Sequence, residues 1–171
     1  MALQGIPRQS MRKQGGIKTV FIAPFTGVTD VVITAGMASF ASDAGVWKEF
    51  KTRKEAGSNY IDKATVNQES GAVAYEKILQ MNFINFNVAK RNELAILTTE
   101  ETIAIVEMNN GSKILVGHEE GLDSGESESN SGSGLVEGSK VGISLRAYET
   151  TPTVFISDED YALVKAGSAV V

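Results

Sequence analysis

The side chains that most often carry out chemistry in proteins are scarce in this sequence. It has 171 residues, no cysteine and a single histidine, His118. The lack of cysteine excludes disulfides, thiolate metal sites and a cysteine nucleophile, and one histidine is too few for a His-cluster zinc site within one chain. A Ser/His/Asp hydrolase would have to use His118, but the sequence has no G-x-S-x-G motif to supply the nucleophile. We therefore expect His118 to be a solvated loop histidine.

The glycine-rich and acidic motifs do not match known ligand sites either. Gly132-Ser133-Gly134 is followed by Gly138, which misses the G-x-G-x-x-G spacing of a dinucleotide site, and there is no P-loop. The triplet Asp158-Glu159-Asp160 offers oxygen ligands to a hard cation but lacks the D-x-D-x-D-G ladder of a calcium loop, so only weak cation attraction follows. The sequence predicts a protein that is not an enzyme and uses no cofactor or resident metal.

The charge is distributed unequally along the chain, and this matters more than its sum of -5. Residues 1–91 carry 12 basic and 7 acidic residues, whereas residues 92–171 carry 4 basic and 14 acidic ones. Such a split is compatible with nucleic-acid binding by the basic part, with pairing inside the chain, or with docking between copies of the chain. Solvated faces that pair only locally are the plainest alternative.

A mainly β fold has to position these side chains, because runs of β-branched and aromatic residues recur along the chain. We predict strands at 17–23, 31–34, 46–50, 59–66, 72–88, 102–108, 113–116, 141–147 and 153–156, the last of them as an edge strand after Pro152. Alternation slips phase between Phe83 and Ile84, which predicts a β-bulge. An amphipathic helix is the alternative for 72–80. Asn110-Gly111 predicts a type I′ hairpin turn.

The remaining segments predict one helix, an arm and a loop. Residues 90–98 are good helix formers, with Leu94 and Leu97 on one face. Residues 1–16 predict a flexible basic arm ahead of a single domain at 17–171. Residues 118–136 are rich in Gly, Ser and Glu, and no Lys or Arg occurs between Lys113 and Lys140, so we expect a flexible acidic loop there. We expect neither a secretory signal nor a membrane-spanning segment.

A small nucleic-acid-binding β-barrel is one function that these residues leave open. Trp47 and Phe50 alternate with Lys48, Lys51 and the nearby Arg53 and Lys54, which is the composition of a base-stacking platform. An isoelectric point near 5.0 opposes this hypothesis, since an acidic body repels the phosphate backbone. We expect Trp47 and Phe50 to be core residues instead.

The order of features resembles a known family. A basic arm precedes a β-rich body with one long bulged strand, and then come a helix at KRNELAIL, a hairpin around MNNGSKILVGHEEGL, a Ser/Gly/Glu loop and the strands of VGISLRAYETTPTVFI. Over residues 17–157 this pattern is similar to the tail tube and tube-like ring proteins of tailed bacteriophages, in particular those of phages of the Bacteroides group. The resemblance lies in a pattern of strands and turns and includes no chemical signature.

The resemblance implies a fold and a function. The fold would be two packed antiparallel β-sheets, a sandwich or near-barrel, with one flanking α-helix. Copies would join side by side as hexameric rings that stack into a conduit for DNA, which passes without specific binding. The protein would be assembled in the host cytoplasm, contact other tail or connector proteins and reside in the virion tail. A head–tail connector or tail-terminator ring is the alternative within this class.

The same comparison assigns no catalytic residue, and it makes the charged segments candidate contacts between subunits. A negative bore would repel phosphate and let DNA slide, and opposite charges would join one ring to the next. The candidate interface residues are Arg8, Arg12, Lys13, Lys51, Arg53 and Lys54 on the basic side, and Glu119, Glu120, Asp123, Glu126 and Glu128 on the acidic side.

Overall fold

A computed structural model describes residues 15–28, 31–40, 47–52, 57–84, 87–131, 139–167 and 169–170. Within these ranges the chain forms twelve strands and two α-helices. The strands are β1 (Ile17–Pro24), β2 (Val31–Thr34), β3 (Met37–Phe40), β4 (Lys48–Lys51), β5 (Asn59–Val66), β6 (Val73–Ile84), β7 (Thr102–Met108), β8 (Lys113–Val116), β9 (Asp123–Asn130), β10 (Lys140–Glu149), β11 (Val154–Ile156) and β12 (Ala169–Val170). The helices are α1 (Val88–Leu97) and α2 (Asp158–Gly167).

The strands form two sheets packed as a sandwich that does not close into a barrel. The large sheet has eight strands in the order β12-β4-β1-β7-β8-β11-β3-β2, and the small sheet has four in the order β5-β6-β10-β9. The predicted mainly β sandwich is therefore confirmed. The large sheet is mixed, because β3 runs parallel to β11 and β4 runs parallel to β12.

The central strands of the large sheet, β1, β7 and β8, are buried on both faces, so this part of the sheet forms the middle layer of the molecule. On β7, Ala104 and Val106 pack with residues of the small sheet, whereas Ile103 and Ile105 pack with Tyr161 of α2 on the opposite face. Burial on two sides explains why β7 reads as a nearly continuous apolar run, since strict alternation is expected only where one face is solvated.

Both helices have side-chain caps, and the second was not predicted. Asn87 Oδ1 accepts a hydrogen bond from Lys90 N at 2.8 Å at the start of α1, and Leu94 and Leu97 are buried, which confirms that helix. At α2, Ser157 Oγ accepts from Asp160 N at 3.1 Å. The acidic triplet that was expected only to attract cations forms the first turn of α2, where the helix dipole favours negative charge.

The long strand β6 is regular, so the predicted bulge is wrong. Leu79 pairs with Tyr60 of β5 and Leu145 of β10, and both ladders continue without a register shift. The sequence changes phase at Ile84 because the strand ends there before α1 begins. A register shift occurs instead between Ser144 and Leu145, where β10 pairs with β9. The alternative of a helix at 72–80 is wrong as well.

The hairpin of β7 and β8 is confirmed, but its turn differs from the prediction. Gly111 N donates to Met108 O at 3.0 Å, and Gly111 has φ of 88°. Among the described non-glycine residues only Ala35 has a positive φ, so Asn110 cannot occupy a type I′ turn. Ala35 and Gly36, with φ of 52° and 81°, form such a two-residue connection between β2 and the unpredicted strand β3.

Two further expectations are corrected by the sheet order. Strand β9 occupies 123–130 of the segment expected to be a flexible loop, and residues 132–138 lie outside the described ranges. Strand β11 is internal, because Phe155 pairs with Ile114 of β8 and with Met37 of β3.

Over the part of the chain that the structure describes, neither helix has the length and apolar character needed to cross a bilayer.

Candidate functional site

The outer face of the small sheet is a broad and mostly polar surface, interrupted by the exposed side chains of Ile61 and Tyr148. Side chains alternate along β10, so that Val141, Ile143 and Leu145 are buried in the sandwich while Arg146 is exposed on the opposite face. The cross-strand partners of the outward residues of β10 share that face. They include Gln80 and Asn82 of β6 and Glu126 and Glu128 of β9.

The charges on this face are mixed. The strand register places Glu76, Asp123, Glu126 and Glu128 on it, together with Lys63, Lys140 and Arg146. The Arg146 side chain crosses β9 at Gly125, where a Cβ atom would lie 3.0 Å from Arg146 Nε. The face thus has one more acidic than basic side chain, which is a smaller excess than the charge of residues 92–171 indicates.

Both lateral edges of the small sheet are open in the described structure. Strand β5 pairs only with β6, and β9 pairs only with β10. Each edge strand is eight residues long and largely exposed. The outward main-chain N–H and C=O groups of such edges are available to pair with another chain.

The predicted interface residues do not form one site. Lys51 lies on β4, with Nζ 3.4 Å from Glu49 Oε2, and β4 belongs to the large sheet. Asp123, Glu126 and Glu128 lie on the edge strand β9 of the small sheet. Glu120 is exposed just before β9. Arg8, Arg12, Lys13, Arg53 and Lys54 lie outside the described residues.

The base-stacking platform is not supported by the positions of its two aromatic residues. Trp47 is 0% exposed within the core between the large sheet and α2, so it cannot stack on a base. Phe50 is half-buried, and its ring centroid lies 6.3 Å from that of Phe83. The expectation that both belong to the core is confirmed for Trp47, and Phe50 packs at the core margin.

A buried cluster of charged side chains lies between the sheets and was not predicted. Lys77 of β6 and Glu149 of β10 have side chains that are 0% exposed, and Lys77 Nζ donates to Glu149 Oε2. Glu149 Oε1 accepts from the backbone N–H groups of Gly117 at 2.7 Å and His118 at 3.1 Å. The alternation of inward and outward residues along each strand is the sequence feature that indicates this cluster, because Lys77 and Glu149 both occupy inward positions.

His118 completes this cluster, so the expectation of a solvated histidine is wrong. Its side chain is only 6% exposed, and Nδ1 lies 3.0 Å from Glu149 Oε2. On the other side of the ring, Nε2 lies 3.3 Å from Thr151 Oγ1 and 3.7 Å from Glu119 Oε1. Gly117, with φ of 81°, turns the chain after β8 and brings His118 beneath the connection between β10 and β11.

The cluster is electrostatically coupled. Burial on its own raises the pKa of Glu149, but the interactions with His118 and Lys77 outweigh it and hold that pKa below its ordinary value. Glu119 has a lowered pKa too, since hydrogen bonds from Thr150 and Thr151 outweigh the effect of burial. Removing one partner of a buried ion pair costs about 3–5 kcal/mol, so the cluster constrains the positions of β6 and β10.

The described residues contain no group of three or more His, Asp or Glu side chains arranged to hold a metal ion. Comparisons of the chain with protein-family models, curated proteins and solved structures find no match.

Proposed function

We propose that this chain is a non-enzymatic virion structural protein whose copies join in hexameric rings, stacked as the tail tube through which a tailed bacteriophage ejects its DNA. The proposal rests on the sequence resemblance and on one structural observation. The small sheet is covered on one face by the large sheet, is polar on the other face, and has an open strand at each lateral edge.

The open edges supply a head-to-tail contact. If β5 of one copy pairs with β9 of the next, main-chain hydrogen bonds satisfy both edges, and repetition around an axis leaves no free edge in the ring. Six copies of a four-stranded sheet, with strands about 4.8 Å apart and tilted by about 40°, enclose a backbone diameter of about 50 Å. Such a ring leaves a central passage after side chains are added.

The outer face of the small sheet would then line the passage. Gln80, Asn82, Gly142 and Ser144 give it an uncharged polar strip. The single excess acidic charge of each copy is repeated around the ring and disfavours phosphate at the wall, so that DNA slides without being held. This arrangement fits a conduit better than a binding site, which would require basic groups in excess.

Microscopy of the purified full-length protein tests the proposal. Negative staining should show tubes, whereas lone rings would indicate the connector or terminator class. A dispersed monomer at high protein concentration would contradict ring formation altogether.

A pair of neighbouring proline variants tests the edge contact. In an edge strand, successive N–H groups point alternately toward the paired strand and away from it. Of Ser127→Pro and Glu128→Pro, one removes a hydrogen bond to β10 and the other removes only an outward N–H. The variant that keeps the wild-type melting temperature should fail to form rings, as measured by sedimentation velocity. Normal rings from that variant would exclude β9 as the contact.

A further inference from the structure

We propose that Lys77 and Glu149 become joined by an intramolecular amide bond that links β6 to β10. The inference is independent of ring assembly, since it concerns the interior of one chain. Its basis is the set of groups around the Glu149 carboxyl: an amine at one oxygen, two backbone N–H groups at the other, and an imidazole within reach.

The amine of Lys77 is already hydrogen-bonded to the carboxyl group that it would attack. Lys77 faces inward on β6 opposite Ala147, and Glu149 faces inward two residues further along β10. Lys77 Nζ donates to Glu149 Oε2, which is covalently attached to the carboxyl carbon Cδ. Fixing two reactants at contact distance removes most of the entropic cost of bringing them together.

The ion pair is the resting form, because the interactions with Lys77 and His118 hold the pKa of Glu149 below its ordinary value, and the uncharged pair is a minor form reached from it. Both side chains are 0% exposed, and separated charges are costly in a medium of low polarity. Transfer of one proton from the Lys77 ammonium to the Glu149 carboxylate, along their existing hydrogen bond, gives a neutral amine and a neutral acid. Those are the forms between which an amide can be made.

The second carboxyl oxygen occupies a site suited to an oxyanion. Oε1 accepts from Gly117 N at 2.7 Å and from His118 N at 3.1 Å. Two backbone donors at this distance stabilise the negative charge that develops on the oxygen when an amine adds to a carboxyl carbon. The left-handed turn at Gly117 is what points both N–H groups at Glu149.

His118 is placed to move the protons. Its Nδ1 lies 3.0 Å from Glu149 Oε2, the oxygen that must leave. Its Nε2 lies 3.3 Å from Thr151 Oγ1 and 3.7 Å from Glu119 Oε1, and these two groups orient the ring. The imidazole thus lies between an orienting threonine hydroxyl, 3.3 Å from Nε2, and the leaving oxygen, 3.0 Å from Nδ1.

The step balances without a further reactant. After the proton transfer, the Nζ lone pair adds to Cδ, and the carbonyl electron pair moves to Oε1. A proton carried on His118 Nδ1 passes to the Oε2 hydroxyl, the electron pair on Oε1 re-forms the carbonyl as the Cδ–Oε2 bond breaks, and Oε2 departs as water. The surplus proton on Nζ passes to His118. One ammonium and one carboxylate have become one amide and one water.

Other lysine–carboxylate pairs in the chain serve as internal controls. Lys113 Nζ lies 2.5 Å from Asp158 Oδ1, but the Asp158 side chain is 89% exposed. Lys18 Nζ lies 2.8 Å from Glu107 Oε1, and the Lys18 side chain is 57% exposed. We expect both pairs to remain ionic, because water keeps them charged.

Mass spectrometry of the purified, denatured full-length protein tests the proposal. The intact mass should be lower than the sequence mass by one water molecule, and a tryptic digest should contain one branched peptide that joins the segments of Lys77 and Glu149, uncut after Lys77. An intact mass equal to the sequence mass would overturn the proposal. A loss of water that maps to any other pair would overturn it too.

Three variants test the assignment to Lys77 and the role of His118. Lys77→Arg keeps the positive charge but has no amine that forms this amide, so the water loss should disappear. Lys113→Arg makes the same change at the exposed pair, and this variant should still show the loss of one water molecule. His118→Gln should slow the reaction, so that freshly purified protein contains a mixture of the two masses. If the wild-type mass loss persisted in Lys77→Arg, the assignment to Lys77 would be wrong.

Discussion

Replacing Gly117 by alanine, with Gly111→Ala as the matched control, separates backbone strain from crowding at the buried cluster. Both glycines have positive φ, 81° at Gly117 and 88° at Gly111. An L-residue in this left-handed region costs about 1–2 kcal/mol, so this part of the loss is common to both variants. The change in unfolded-chain entropy from Gly to Ala is common to them as well.

The two sites differ in the space that a Cβ atom finds. A Cβ atom added at Gly111 would have no heavy atom within 4 Å apart from its chain neighbours. A Cβ atom added at Gly117 would lie 2.8 Å from Leu122 Cγ and 3.1 Å from Leu122 N. Leu122 is fully buried, and its N–H is bonded to Thr102 O, so it cannot move aside freely. Overpacking of this kind adds about 1–3 kcal/mol. We expect the free energy of unfolding to fall by about 2–5 kcal/mol in Gly117→Ala and by about 1–2 kcal/mol in Gly111→Ala.

Urea denaturation followed by circular dichroism measures both losses. For a domain of this size each kcal/mol lowers the melting temperature by about 2–4 °C, so thermal scans provide a second readout. Equal losses in the two variants would refute the argument, because they would show that the loop from Gly117 to Leu122 is not packed as described.

Four further predictions concern single features. Ala35→Asn should raise stability by about 0.5–1 kcal/mol in urea denaturation, because Ala35 occupies a left-handed turn position at φ of 52°. Asn87→Ala should lower it by about 1 kcal/mol in the same assay through loss of the α1 cap. Burial raises the pKa of Glu107, but hydrogen bonds from Lys18 and Tyr161 outweigh this and lower it. Stability from Glu107 is therefore present above pH 4.5 and lost as pH falls further, and Glu107→Gln should flatten that acid limb of melting temperature against pH. Ring stacking through opposite charges should weaken as salt is raised, and sedimentation that is indifferent to ionic strength would contradict the electrostatic contact.

Periodicity and turn chemistry were sufficient for much of the fold. The β-branched run from Ile17 and the 59–66 segment became β1 and β5, and the helix around Leu94 and Leu97 was correctly placed. These elements are determined by local propensity together with one consistently apolar face, and both properties are visible in a single sequence.

Elements whose pairing comes from tertiary structure were missed. Strand β9 has the sequence DSGESESN, which has low strand propensity and no apolar face, but its backbone is held by hydrogen bonds to β10.

Helix α2, in contrast, has a local sequence signal: Ser157 is followed by three acidic residues, and Tyr161 and Val164 are three residues apart. The acidic triplet on its own is typical of a cation-attracting cluster, and only together with the Ser157 cap does it indicate the start of a helix.

The buried cluster was beyond sequence reasoning for a similar reason. Lys77, His118 and Glu149 are separated by tens of residues, and only the packing of β6 and β10 against the turn at Gly117 brings them together. The inward strand phase of Lys77 and Glu149 was visible, but charged residues at inward positions are rare enough that composition favoured exposure.

Disulfide trapping across the open edges tests ring formation most directly, because the natural chain has no cysteine. One double variant would combine Lys63→Cys on β5 with Glu128→Cys on β9, and a second would combine Ile61→Cys with Glu126→Cys, so that two registers of the antiparallel edges are covered. Within one copy these strands are three spacings apart, roughly 14 Å, which is too far for a disulfide. On mild oxidation we expect a ladder of covalent oligomers that ends at a closed hexamer, whereas each single-cysteine variant stops at the dimer. A chain that remains monomeric with both pairs would contradict assembly through these edges.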